Sequence, residues 1–156
     1  MRTVTFVSFL FLISMFTLST NAQVPVSSEA PQAVTKEEVN RFMDEYKVRF
    51  MKMDLDSFMA LFSKEAVENR MLPHGDIRVA YGKCFAVSDS IQYNLKIYSI
   101  QTYQKSAFVR GRYELIQSLK GGDKKEVFRG NIQWTLIREN GSLKIKEMDY
   151  GRDYSK

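Results

Sequence analysis

The sequence predicts an α+β domain, with helices first and a curled antiparallel sheet after them. Two changes in pattern predict it. Apolar residues recur at helical spacing from Val39 to Met53, whereas from Ser90 onward they alternate with polar ones at a period of two. Turn-forming residues then punctuate the second half, at Gly121-Gly122-Asp123 and at Asn140-Gly141, so successive strands must run antiparallel to their neighbours.

The elements follow in order. Residues 1–22 read as a secretory signal: Arg2 is a sparse basic start, Val4 to Leu18 is apolar, and Ser19-Thr20-Asn21-Ala22 places small residues before a cleavage point. The apolar run is shorter than the roughly 20 residues a spanning helix requires. No cysteine follows it to carry a lipid. The mature chain is therefore expected to begin at Gln23, exported to the periplasm or beyond, with no membrane anchor after cleavage. Residues 23–34, rich in Pro, Ser and Ala, read as a flexible leader. Residues 35–153 are long enough for one domain and too short for two. The single cysteine, Cys84, forms no internal disulfide, so the apolar core must hold the exported fold by itself. Loss of Arg2 with the signal leaves a net charge of +4, too mild for a nucleic-acid binder.

Thr35-Lys36-Glu37-Glu38 is a capping box. The helix it starts carries the stripe Val39, Phe42, Met43, Tyr46, Phe50 and Met53. Asp54 caps a shorter helix bearing Leu55, Phe58, Met59 and Phe62. A third helix, Asp76 to Phe85, is expected to bury Ile77, Ala80, Tyr81 and Cys84. On the strands, Tyr93, Val109, Tyr113, Ile132, Trp134 and Leu136 fall on the inward parity. In the last strand Leu143 and Ile145 share a parity with Glu147 and Asp149, which places these two carboxylates at the rim of the inward face.

The order of DLDSFMALFSKEAV, GDIRVAYGKCF, Ala107-x-Val109-x-Gly111 and Trp134-x-Leu136-x-Arg138-x-x-Gly141 resembles the NTF2-like (SnoaL-like) superfamily across residues 35–153. The resemblance implies three helices packed on a strongly curved sheet, with a conical cavity between them. It also implies little about activity, since the superfamily holds isomerases, dehydratases, ligand binders and assembly modules. An exported chain of this texture bears a looser likeness to NTF2-like accessory domains of cell-wall enzymes, which implies an envelope role without chemistry of its own.

On that implied cone, Tyr46, Tyr93, Tyr113 and Trp134 would line the cavity, a fit for a small apolar ligand. Tyr46, Glu147 and Asp149 are the candidates for a donor and a general base should the cavity be catalytic, as in an isomerase or dehydratase. No catalytic motif of those enzymes is matched residue by residue. His74 lies beside Pro73 and Gly75, and no cysteine–histidine spacing suits a metal, so no cofactor is expected. On the outward face Lys96, Arg110, Arg112, Arg129, Lys144 and Lys146 form a basic set, which would meet an anionic envelope polymer, an acidic partner protein or a second copy across the sheet. The reading is an exported, noncatalytic binding or assembly module; the alternative is a small-molecule isomerase or dehydratase with a carboxylate base.

Overall fold

The hydroxyl of Thr35 accepts a hydrogen bond from the Glu38 amide at 3.1 Å, and helix α1 runs from there over Lys36–Lys52. The computed structural model describes residues 33–122 and 124–153. The expected signal, most of the leader and the turn residue Asp123 lie outside the described residues. Val34, read as leader, is buried in the core and donates its N–H to the Tyr103 carbonyl at 3.2 Å. The domain therefore includes Val34, ahead of the capping box.

Met53 stops α1 in the left-handed conformation (φ 54°), and Asp54, whose side chain accepts from the Ser57 amide, starts α2 over Leu55–Met59. Two short strands follow, β1 (Phe62–Glu68) and β2 (Leu72–Pro73), and then α3 (His74–Val87), longer than the helix expected from sequence. The remaining strands are β3 (Ser88–Thr102), β4 (Ser106–Leu119), β5 (Lys125–Glu139) and β6 (Ser142–Tyr150). Asn140 (φ 49°) and Gly141 (φ 81°) make the β5–β6 turn. No helix among the described residues is long and apolar enough to cross a membrane.

The sheet has six strands in the order β2-β1-β6-β5-β4-β3. The four long strands form the antiparallel meander read from the sequence. β1, absent from that reading, pairs parallel with β6, so the sheet is mixed. Three helices cover its inner face, giving an α+β cone. Trp134, Leu136, Val109 and Ile145 are fully buried there.

Two details of β5 and β6 shape the interior of the fold. Leu136 pairs with Ile145, yet Thr135 pairs with Glu147, which leaves Lys146 as an extra residue: a β-bulge. Beyond it the parity of β6 is reversed. The second detail is Gly130, where a Cβ would sit 1.7 Å from the Gly151 carbonyl oxygen. The chain after β6 uses that gap, with the Gly151 N–H on the Asn131 carbonyl at 3.1 Å and the Asp153 N–H on the Arg129 carbonyl at 2.7 Å.

Candidate functional site

A cavity of about 640 Å³ opens between the C-terminal half of α1, α3 and the inner face of the sheet. This lies in the range, roughly 300–1,000 Å³, of pockets that enclose small organic ligands. Its wall is mostly aromatic and aliphatic: Tyr46 and Phe50 from α1, Tyr81 from α3, Tyr93, Tyr113 and Phe128 from the sheet. Tyr46 is the hub of the aromatic packing, tilted against Phe58 at 5.4 Å and edge-on to Tyr93 at 6.0 Å and Trp134 at 5.6 Å.

At the cavity floor stands Glu68, the last residue of β1, only 2% exposed. Its Oε1 accepts from the Tyr150 hydroxyl at 2.6 Å, and its Oε2 is buried with no hydrogen-bond partner among the described residues. Burial pushes its carboxyl above the usual carboxylate range, opposed by the Tyr150 hydroxyl and by the nearby Tyr81 hydroxyl, which makes no well-formed hydrogen bond to it. Burial likewise raises the phenols of Tyr46, Tyr81, Tyr93 and Tyr150, so all four stay protonated and can donate. The Tyr46 hydroxyl donates to the Met148 sulfur at 3.5 Å, a weak acceptor. The site thus combines one buried carboxyl with several fixed hydroxyl donors in an apolar chamber.

Of the residues proposed for the pocket, Tyr46, Tyr93 and Tyr113 line it. Trp134 does not: it lies fully buried behind the wall, its Nε1 without a partner among the described residues. Glu147 and Asp149 are corrected most sharply, because the bulge at Lys146 turns both to the outer face and brings Met148 and Tyr150 inward. Glu147 is exposed and accepts from Thr135 Oγ1 at 3.3 Å; Asp149 accepts from Gln133 at 3.2 Å. Glu68 and Tyr150 take the inward places that the sequence reading assigned to that pair. Their signal was present but faint: Glu68 has the parity of buried Ala66, two residues before it.

The basic residues do share the outer side, but most are engaged. Arg112 pairs with Asp153, Arg129 with Glu114 at 2.5 Å and Lys146 with Glu65 at 2.6 Å, while Lys144 donates to the Ala60 carbonyl. Arg110 lies over the Phe108 ring at 4.9 Å; it and Lys96 have no ion pair among the described residues. Cys84 lines the cavity half-buried, its thiol raised by burial, and His74 begins α3 without lining the cavity. Among the described residues no three His, Cys, Asp or Glu side chains cluster as metal ligands.

Neither a protein-family profile nor a curated protein sequence matches the chain. Solved structures do match its fold. An NTF2-like superfamily protein from Salmonella enterica serovar Typhimurium aligns with a TM-score of 0.66 at 15% identity, over 76% of this chain and 91% of its own. A ketosteroid isomerase-like protein from Erwinia carotovora atroseptica aligns at 0.63 and 16% identity, over 78% of this chain and 100% of its own. A hexachlorocyclohexane dehydrochlorinase aligns at 0.59 and 10% identity, over 76% of this chain and 84% of its own.

Proposed function

We propose, from the premise that the chain folds as an NTF2-like cone, that it is an exported binding module that holds a small, largely apolar molecule in its cavity. The observation that carries the reading is Glu68: a carboxyl that stands on the floor of an open aromatic chamber with one oxygen unsatisfied. A buried polar atom without a partner costs stability, so retaining it in a core favours a use for it. The outer basic face supports a partner-binding role less, because four of its six cations are already engaged within the chain. Export rests on the pattern of residues 1–22.

The mature chain, titrated with the uncharged fluorophore N-phenyl-1-naphthylamine, is expected to give saturable enhancement. The bound probe is expected to shield Cys84, which lines the cavity, from N-ethylmaleimide. No saturable signal together with unprotected Cys84 would remove the reading.

A proton-transfer enzyme is the second reading, and one arrangement favours it: Glu68 as base and the tyrosine hydroxyls as donors share a chamber that burial makes apolar. Two structural neighbours bear the names of an isomerase-like protein and a dehydrochlorinase. Deuterium exchange at the α-carbon of small cyclic ketones tests it, with Glu68→Gln as the control. Exchange no faster than in buffer would count against it, and exchange lost in the variant would support it.

A further inference from the structure

The two ends of the cavity differ in chemistry. Its floor holds a carboxyl that burial drives toward the neutral form, ringed by phenols and apolar side chains. Its solvent-facing lining carries two cations, Lys120 and Arg152, and one acid, Glu126. Glu126 is already paired with Lys124 at 2.9 Å. The other acid adjacent to Arg152, Asp153, is paired with Arg112. The mouth is therefore left with an uncompensated positive charge.

Both cations are positioned rather than dangling. Lys120 donates one N–H to the Ala86 carbonyl at the end of α3, at 3.0 Å, which leaves two ammonium donors for another acceptor. Arg152 lies over the Phe128 ring, its guanidinium carbon 4.3 Å from the ring centre, and has no ion pair among the described residues. A guanidinium held over a ring and without an ion pair keeps N–H donors for carboxylate, sulfonate or phosphate oxygens. The backbone on either side of Arg152 is tied to β5 through Gly151 and Asp153, at the place where Gly130 lets the chain approach.

We infer that the molecule held in the cavity is an amphipathic anion, with an apolar body against the tyrosine wall and an acidic head at the mouth where Lys120 and Arg152 stand. The inference rests on the pocket reading above and deepens it. A cationic ligand would meet two like charges on entry, and a neutral one would leave both cations unused.

Two probes that share one ring system separate the charge from the pocket. 1-Anilinonaphthalene-8-sulfonate carries the anion, and N-phenyl-1-naphthylamine lacks it. In the mature wild-type chain at low salt, the sulfonate is expected to bind the more tightly, with the advantage shrinking as salt rises. The double variant Lys120→Gln/Arg152→Gln is expected to lose roughly tenfold in sulfonate affinity while its affinity for the neutral probe is unchanged, which also reports an intact cavity. Glu126→Gln is expected to strengthen sulfonate binding alone. Equal losses for both probes, or no loss for the sulfonate, would overturn the inference and leave the pocket reading standing. If neither probe binds the wild-type chain, both are overturned.

Discussion

Along the inward face of β5, Trp134 and Leu136 are fully buried, whereas Phe128, on the same face nearer the start of the strand, looks into an open chamber. α1 repeats the contrast. Val39 and Phe42, toward its N-terminus, belong to the packed core, and Tyr46 and Phe50, one and two turns later, line the cavity. The alternation is equally apolar in both halves, so it specifies which face is inward and is silent on whether the space in front of that face is filled. What divides the halves is their polar fittings. The packed end is fastened by Arg138, whose guanidinium makes two bonds to the Glu38 carboxylate at 2.6 and 2.7 Å. The open end holds Glu68, a carboxyl with a phenol for a partner and no cation among the described residues.

The sharpest test of this contrast is a pair of truncations on one strand. Trp134→Ala should cost about 3–5 kcal/mol, since it empties a filled site; Phe128→Ala should cost about 1 kcal/mol, since its site already borders open volume. Urea unfolding compares them, and similar losses would erase the distinction between the two ends.

Next in size is the fastening of the packed end. Arg138→Met should cost about 1–2 kcal/mol at neutral pH, because the pair is mostly sheltered from water and Glu38 loses both of its charge-assisted bonds. Arg138 holds the Glu38 carboxyl below its ordinary value of 4.5. Its contribution is therefore full above pH 4.5 and is lost as pH falls through the lowered folded value. In a Tm series across that acid range, the variant should show a flatter decline than wild type.

Glu68 should show the opposite sign. Burial raises its carboxyl above 4.5, so its ionisation is a burden that is absent below pH 4.5 and grows as pH rises through the folded value. Glu68→Gln should therefore raise Tm at neutral pH and leave it nearly unchanged in acid. A variant that is less stable at neutral pH would mean that the ionised carboxylate is favoured where it stands.

The smallest effect belongs to the outer face. Glu147→Gln with Asp149→Asn should alter stability by less than about 0.5 kcal/mol and leave naphthylamine binding intact, because solvated carboxylates contribute little. Loss of probe binding would place one of them at the cavity after all.

The helices and the meander were legible because each depends on local chemistry: Thr35 and Asp54 as caps, the stripe on α1, the turn at Asn140-Gly141. Tyr46 fell on an inward face by its helical stripe and Tyr93 and Tyr113 by strand parity, while the cavity they line was implied by the NTF2-like resemblance. β1 escaped notice because exposed Lys64 and Glu65 interrupt it and its partner, β6, lies about 80 residues away, as the Tyr150–Glu68 bond records. Without β1 there was no Glu68. Trp134 is buried on the inward face, as its parity implies, but behind the cavity wall, because parity distinguishes in from out and gives no depth. Glu147 and Asp149 were misplaced because a bulge is set by pairing across strands, which no single strand displays.

That bulge makes β6 indifferent to the loss of one codon at one place. Lys146 is surplus to the β5 pairing, so a chain lacking it would still seat Glu147 opposite Thr135 and Met148 opposite Trp134. Met148 and Tyr150 would keep their inward places, Glu147 and Asp149 would stay on the outer face, and Glu68 would keep its phenol partner. The strand thus holds a spare residue, and its length can change there by one while the order of its faces does not.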